Sequence, residues 1–277
     1  MDLQTLIKPP PAYARLPDYD HGWIVEGGAR EPFLSYVGAD ASVNWSAELE
    51  LLHEEASRTS FIDQWTRRAI ITGLGELPAH PTIIDIGAST GYLLEDLAAA
   101  FSDATLLGID RVSSGLRKAH EAVPSAHLLH ADACALPVAS AGADAVVSAN
   151  TLEHISDDAG ALTEVARVLK PGARAVIVVP AGPRTYDYYD RFVGHERRYA
   201  RHELAVKGRA AGLEIIEDSY IAALVYPAFW LVKQHNRLRF GSPRRAGPRT
   251  ARRLRPRPHA RLGRMSSGSA PRLVRCR

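Results

Sequence analysis

The stretch Ile83-Ile84-Asp85-Ile86-Gly87-Ala88-Ser89-Thr90-Gly91-Tyr92-Leu93-Leu94 decides the fold. A short aliphatic run holding one carboxylate gives way to small residues, and these lead into a run whose apolar positions recur at helical spacing. That order predicts a buried strand, a tight turn and a helix. The helix's first backbone N–H groups then face whatever binds at the strand's carboxyl end. Gly87 and Gly91 let the chain turn sharply and let a ligand approach the backbone. A glycine turn also serves simply to pack a helix on a strand, so a functional reading needs further residues around it.

Working outward, residues 82–220 alternate between short aliphatic runs and amphipathic periods. The pattern predicts an α/β fold, a doubly wound and mostly parallel sheet with helices on both faces. Strands are expected over 82–86, 105–109, 127–130, 145–149, 173–179 and 213–218. Leu94, Leu97, Ala98 and Phe101 stand at i, i+3, i+4 and i+7, as do Leu162, Val165, Ala166 and Leu169, with Lys170-Pro171-Gly172 as the stop. Two further helices are expected ahead of the first strand, one around Leu49, Leu52 and His53 and one starting near Phe61.

The flanks differ in composition. Residues 1–45, rich in Pro, Gly, Tyr and Asp, read as an irregular arm, and residues 46–222 as the main domain with its N-terminal helices. Aromatic residues of the arm, Tyr13, Tyr19, Trp23 and Trp45, suit either a lid over a pocket or plain anchoring. Residues 223–240 form an apolar segment interrupted by Pro227 and too short to cross a bilayer. Residues 241–277, made largely of Arg, Pro, Gly, Ser and Ala without period, read as a disordered tail whose removal leaves the fold intact.

Charge follows the same division. The net charge of +3 over 277 residues conceals 15 basic and no acidic residues from Lys233 onward, which leaves 19 basic and all 31 acidic residues before it. The tail therefore suits peripheral contact with an anionic membrane surface, and nucleic acid is not an expected partner of the acidic body. Two cysteines build no disulfide framework, and the first 30 residues lack a basic segment followed by an apolar run. A cytoplasmic protein is expected.

Three carboxylates and an amide give the sheet edge a chemistry. Asp110 ends the second strand, 19 residues after Gly91, where a carboxylate can accept from two ribose hydroxyls. Asp132, followed by Ala133, comes after the third strand, and Asn150 after the fourth. All fall at carboxyl ends of successive strands. A nicotinamide-binding turn would read G-x-G-x-x-G, whereas Gly87 and Gly91 give G-x-x-x-G. Asp85, two residues before the first glycine, would repel a pyrophosphate and suits an ammonium.

With IIDIGASTG, LLGID, HADACALP, ADAVVSANTLEHI and EVARVLKPGARAVIVVP in place, residues 61–220 resemble the class I S-adenosylmethionine-dependent methyltransferases, type 11 small-molecule group. The resemblance implies S-adenosylmethionine as cofactor and a small-molecule, lipid-linked or natural-product acceptor. It implies that Asp85, Gly87, Ser89 and Gly91 hold the methionine part, Asp110 the ribose, and Asp132 with Ala133 the adenine, with Asn150 beside them. Ser89 stands where the family usually has its middle glycine.

Methyl transfer from a sulfonium requires mainly that the nucleophile be positioned and, for a hydroxyl or amine, lose a proton. His154, next to Glu153, and His195, in the Gly194-His195-Glu196-Arg197-Arg198-Tyr199 element, are the candidate bases. The second element equally reads as a clamp that docks the following helix through Glu203. Some metal-assisted relatives carry E-x-x-E-H, but Asn150 occupies its first position, so no metal site is expected. Two other readings stay open, a non-catalytic module that binds the cofactor or a nucleoside, and a nucleic-acid methyltransferase.

Overall fold

The computed structural model describes residues 2–38, 60–221 and 271–277, with positions 230, 231, 234, 235 and 238. In chain order the helices are α1 (Leu3–Leu6), α2 (Phe61–Leu74), α3 (Tyr92–Ala100), α4 (Ser113–Ala122), α5 (Asp158–Val168), α6 (Tyr188–Phe192) and α7 (Glu203–Ala210). The strands are β1 (Asp18–Tyr19), β2 (Trp23–Ile24), β3 (Arg30–Glu31), β4 (Leu34–Ser35), β5 (Thr82–Ile86), β6 (Thr105–Asp110), β7 (His127–His130), β8 (Ala143–Ala149), β9 (Leu169–Pro180), β10 (Ile215–Tyr220) and β11 (Pro271–Cys276).

The main sheet runs β10-β11-β9-β8-β5-β6-β7-β4. Neighbours from β9 to β4 are parallel, and β11 alone runs antiparallel, wedged between β9 and β10. Every residue of β5 is buried, as a central strand covered on both faces must be. The period of two divides its side chains. Ile84 and Ile86 join one core with Leu162 and Val165 of α5 and Leu204 of α7. Ile83 joins the opposite core with Ile70 of α2, Leu94 and Leu97 of α3 and Leu116 of α4. Helices on both faces therefore follow from strands that are apolar on both faces.

Local signals set the helix ends. Ser60 accepts from the Asp63 N–H and caps α2, while Gly75, at φ 64°, ends it. The helix α5 stops at Val168, two residues before Lys170-Pro171-Gly172, and the β8–β9 register shifts across that tripeptide. The strand expected over 213–218 begins later, at Ile215. The helix expected around Leu49, the side chain of Trp45 and nearly all of the 223–240 segment lie outside the described residues.

Two sequence expectations are corrected. The arm is not irregular throughout: β1, β2 and β3 form a small antiparallel sheet, and β4 extends the main sheet beside β7. Trp23 is fully buried and donates its indole N–H to the Leu128 carbonyl at 3.2 Å, and the Tyr19 hydroxyl lies within 2.8 Å of the Pro124 and Ala126 carbonyls. These two aromatics anchor the arm to the sheet edge and do not form a lid.

The second correction concerns the tail, whose residues 271–276 form a buried strand inside the sheet. Leu273 enters one core and Val274 the other. The arginines that made the segment read as disordered find acidic partners on or beside β10: Arg272 pairs with Asp218, Arg275 faces Glu217 at 3.9 Å, and Arg277 binds Glu214 at 2.7 Å. An acidic strand about 55 residues earlier in the chain supplies the charge that the local composition lacks. Among the described residues, no helix is long and apolar enough to cross a membrane.

Candidate active site

The carboxyl ends of β5, β6, β7 and β8 carry Asp85, Asp110, Asp132 and Asn150, so the parallel pairing places all four at one sheet edge. Asp85 is buried and neither of its oxygens has a hydrogen-bond partner. Burial, followed by repulsion from Asp110, pushes its carboxyl up to about 8. A buried carboxylate without a partner is costly, and a cationic group arriving at the site would offset that cost.

The turn beyond Asp85 is shaped for close approach. Gly87 has φ 85°, and a Cβ on it would run into the side chain of Thr151. Gly91 has φ 89° and opens α3, and a Cβ there would lie 2.9 Å from the Ala119 Cα. Ser89 occupies the left-handed region at φ 46°, so the residue standing at the family's middle glycine keeps a glycine-like backbone. Its N–H donates to Asp110 Oδ2 at 2.8 Å, and the Val112 N–H donates to Asp110 Oδ1 at 2.7 Å. Asp110 thus ties the glycine turn to the loop after β6.

Asp132 accepts from the Cys134 N–H at 2.9 Å and pairs with Arg111 at 2.8 Å. Ala133 is buried beside it. Asn150 takes a left-handed conformation at φ 51°, with its N–H on the Val178 carbonyl at 2.8 Å. Thr151 and Arg111 carry no chemical signal of their own in the sequence. Both follow directly after a residue that does, at a strand end, and only the folded edge shows that each touches its neighbour's site.

Past Asn150 the chain makes a single 3-10 turn, Leu152–His154, that buries Glu153 completely. Neither Glu153 oxygen has a hydrogen-bond partner. Burial lifts its carboxyl to about 7 against the attraction of His195. The His195 Nε2 lies 3.8 Å from Glu153 Oε1, and the His154 and His195 rings meet edge to face at 4.7 Å. On its other side, His195 Nδ1 lies 2.9 Å from Asp190 Oδ1. Asp190 also receives Arg198 Nε at 2.6 Å and the Asp187 N–H at 2.8 Å.

The two histidines chosen from the sequence, about 40 residues apart, therefore meet. The Gly194 to Tyr199 element joins the site through His195 and also clamps the fold. Its docking does not run mainly through Glu203, which accepts from the Ala200 N–H. It runs through Asp158, which holds Tyr199 at 2.7 Å, Arg197 at 3.1 Å and Lys207 at 2.6 Å. Among the described residues, Glu153, His154 and His195 form a three-membered group whose ligand atoms lie within 4.8 Å of one another.

Residues 84–177 match the family described as a methyltransferase domain. The chain is similar to the ubiquinone/menaquinone biosynthesis C-methyltransferase of Syntrophotalea carbinolica, at 31% identity over 147 residues, covering 52% of this chain and 60% of that one. An O-methyltransferase of Pyrenophora dematioidea is 32% identical over 127 residues, 43% of this chain and 47% of that protein. The chain spans about half the length of the curated relatives it matches. Haemonchus contortus phosphoethanolamine N-methyltransferase 2, solved with S-adenosyl-L-methionine, is similar in fold with a TM-score of 0.60 at 17% identity, over 83% of this chain and 57% of that one.

Proposed function

We propose, from the membership of residues 84–177 in the type 11 group of class I S-adenosylmethionine-dependent methyltransferases, that the chain transfers a methyl group from S-adenosylmethionine to a small-molecule acceptor. The observation that carries this reading is Asp85, a buried carboxylate with both oxygens unpartnered behind a turn that excludes a Cβ at Gly87 and Gly91. A carboxylate in that state fits the ammonium of an amino-acid moiety. When bound, the cofactor supplies an electrophilic methyl carbon on a sulfonium.

The protein's residues bind and orient. Asp110, held at the strand end by the Ser89 and Val112 N–H groups, takes the ribose hydroxyls, and Asp132 with Ala133 borders the adenine. Asp85 takes the ammonium, and Asn150 lies at the same edge. His154 and His195 stand at the acceptor's end, where they handle the proton that a hydroxyl or amine must lose.

Asp110→Ala is expected to weaken S-adenosylmethionine binding by roughly 1.5–3 kcal/mol, the scale of charge-assisted hydrogen bonds. Asp110→Asn, which keeps the side chain's shape, should lose affinity as well. Calorimetry showing unchanged affinity in both folded variants would overturn the assignment. Incubation with a metabolite extract and labelled cofactor should yield S-adenosylhomocysteine and a product heavier by one methyl group.

A further inference from the structure

We infer that Glu153, His154 and His195 bind a divalent transition-metal ion of the zinc or cobalt type at the acceptor's end of the site. The sequence reading expects no metal site, because Asn150 breaks the acidic spacing, and His195 lies on another segment. Folding brings the third donor. One atom from each residue lies within 4.8 Å of the other two, and a tetrahedral ion with ligands at about 2.1 Å holds them about 3.4 Å apart, so modest side-chain movement closes the group.

Three observations point to an ion in place of an ordinary polar cluster. Glu153 is fully buried with neither oxygen hydrogen-bonded, a carboxyl group whose burial a bound cation would offset. His195 turns Nε2 toward Glu153 while Nδ1 is held by Asp190, and a carboxylate behind a histidine is the arrangement that orients metal-binding imidazoles. Asp190 is itself fixed by Arg198 and by the Asp187 N–H, so the support behind His195 is rigid. Two imidazoles and one carboxylate favour zinc-like ions over magnesium or calcium, which prefer oxygen donors.

The inference rests on reading this cluster as the acceptor's end of a methyltransferase site, and it replaces direct proton transfer to the histidines. As ligands they hold an ion that binds an acceptor hydroxyl and lowers its pKa, so that the proton leaves to solvent. The acceptor is then a molecule with an ionisable oxygen.

The test uses the full chain, freed of metal with a chelator and titrated with Co²⁺, followed by visible absorption, with Zn²⁺ as competitor. One Co²⁺ per chain, displaced by Zn²⁺, is expected. Glu153→Gln and His154→Ala should abolish it, and Asp190→Asn should weaken it about 10- to 100-fold while leaving one ion per chain at saturation. His154 is only part-buried, so that variant serves if Glu153→Gln fails to fold. No saturable Co²⁺, or Co²⁺ binding that persists in the folded His154→Ala variant, overturns the inference. Calorimetry of S-adenosylmethionine on the same metal-free sample separates the two readings. Cofactor binding without any Co²⁺ site removes the metal alone, and Co²⁺ binding without cofactor affinity leaves the metal and removes the methyltransferase.

Discussion

Asp85 and Glu153 share one physical condition, since each is a carboxyl group placed where neither water nor a hydrogen-bond donor reaches it. Unfolded, Asp85 ionises near 3.8, and folded near 8, so between those values the folded state keeps a proton that the unfolded chain has lost. Stability therefore falls as pH rises through that window. Asp85→Asn should flatten the fall and raise the unfolding free energy at its alkaline end by on the order of 1–3 kcal/mol, the cost of an unsatisfied buried group, with a correspondingly higher melting temperature. Melting curves across the window check this, and parallel curves for the two proteins would contradict it. The same variant should bind S-adenosylmethionine more weakly, because the group that costs stability is the group proposed to meet the ammonium.

At the scale of elements, β11 is the least expected and most consequential piece. Among the described residues it is the only partner that β10 has in the sheet, and Leu273 and Val274 seal opposite cores. Burying each such side chain contributes roughly 1.5–3 kcal/mol, so removing residues 271–277 should cost at least about 3 kcal/mol and leave β10 without a neighbour. A truncated chain ending at residue 270 is expected to unfold at markedly lower temperature or to aggregate through the exposed edge of β9. An unchanged melting temperature would show that β11 adds nothing to the sheet's stability. The segment from Tyr186 to Tyr199 works in the opposite manner, since it was legible as chemistry but its clamp partners were not. Asp190 and Asp158 are ordinary acidic residues until folding sets them against Arg198 and His195 and against Tyr199 and Lys207.

For the whole molecule, the strand ends converge so that a ligand bound at that edge would touch several elements, and its binding would be linked to global stability. S-adenosylhomocysteine at about 100 times its dissociation constant should stabilise the folded chain by about 2.7 kcal/mol, provided that the unfolded chain does not bind it. For a chain of this size that corresponds to a rise in melting temperature of roughly 5–10 °C. Differential scanning measurements with and without the product check it, and Asp110→Ala should abolish most of the rise at the same concentration. A rise that survives in that variant would place the product elsewhere on the molecule.

The sequence by itself determined the parallel sheet, its helical layers and the sheet edge that gathers the carboxylates, because each depends on local order: an aliphatic run, a turn of small residues, an amphipathic period and a carboxylate at the strand's end. Asp85, Gly87, Gly91 and Asp110 were legible on those terms. Only the tertiary structure decided the rest, because the remaining features depend on pairs that are distant in the chain. Arg272 makes a strand only where Asp218 meets it, Trp23 becomes an anchor only where β7 offers the Leu128 carbonyl, and His154 meets His195 only after β9 and α6 have turned the chain back onto the turn that buries Glu153. Burial changes what a charged residue does, and burial is a property of the assembled fold.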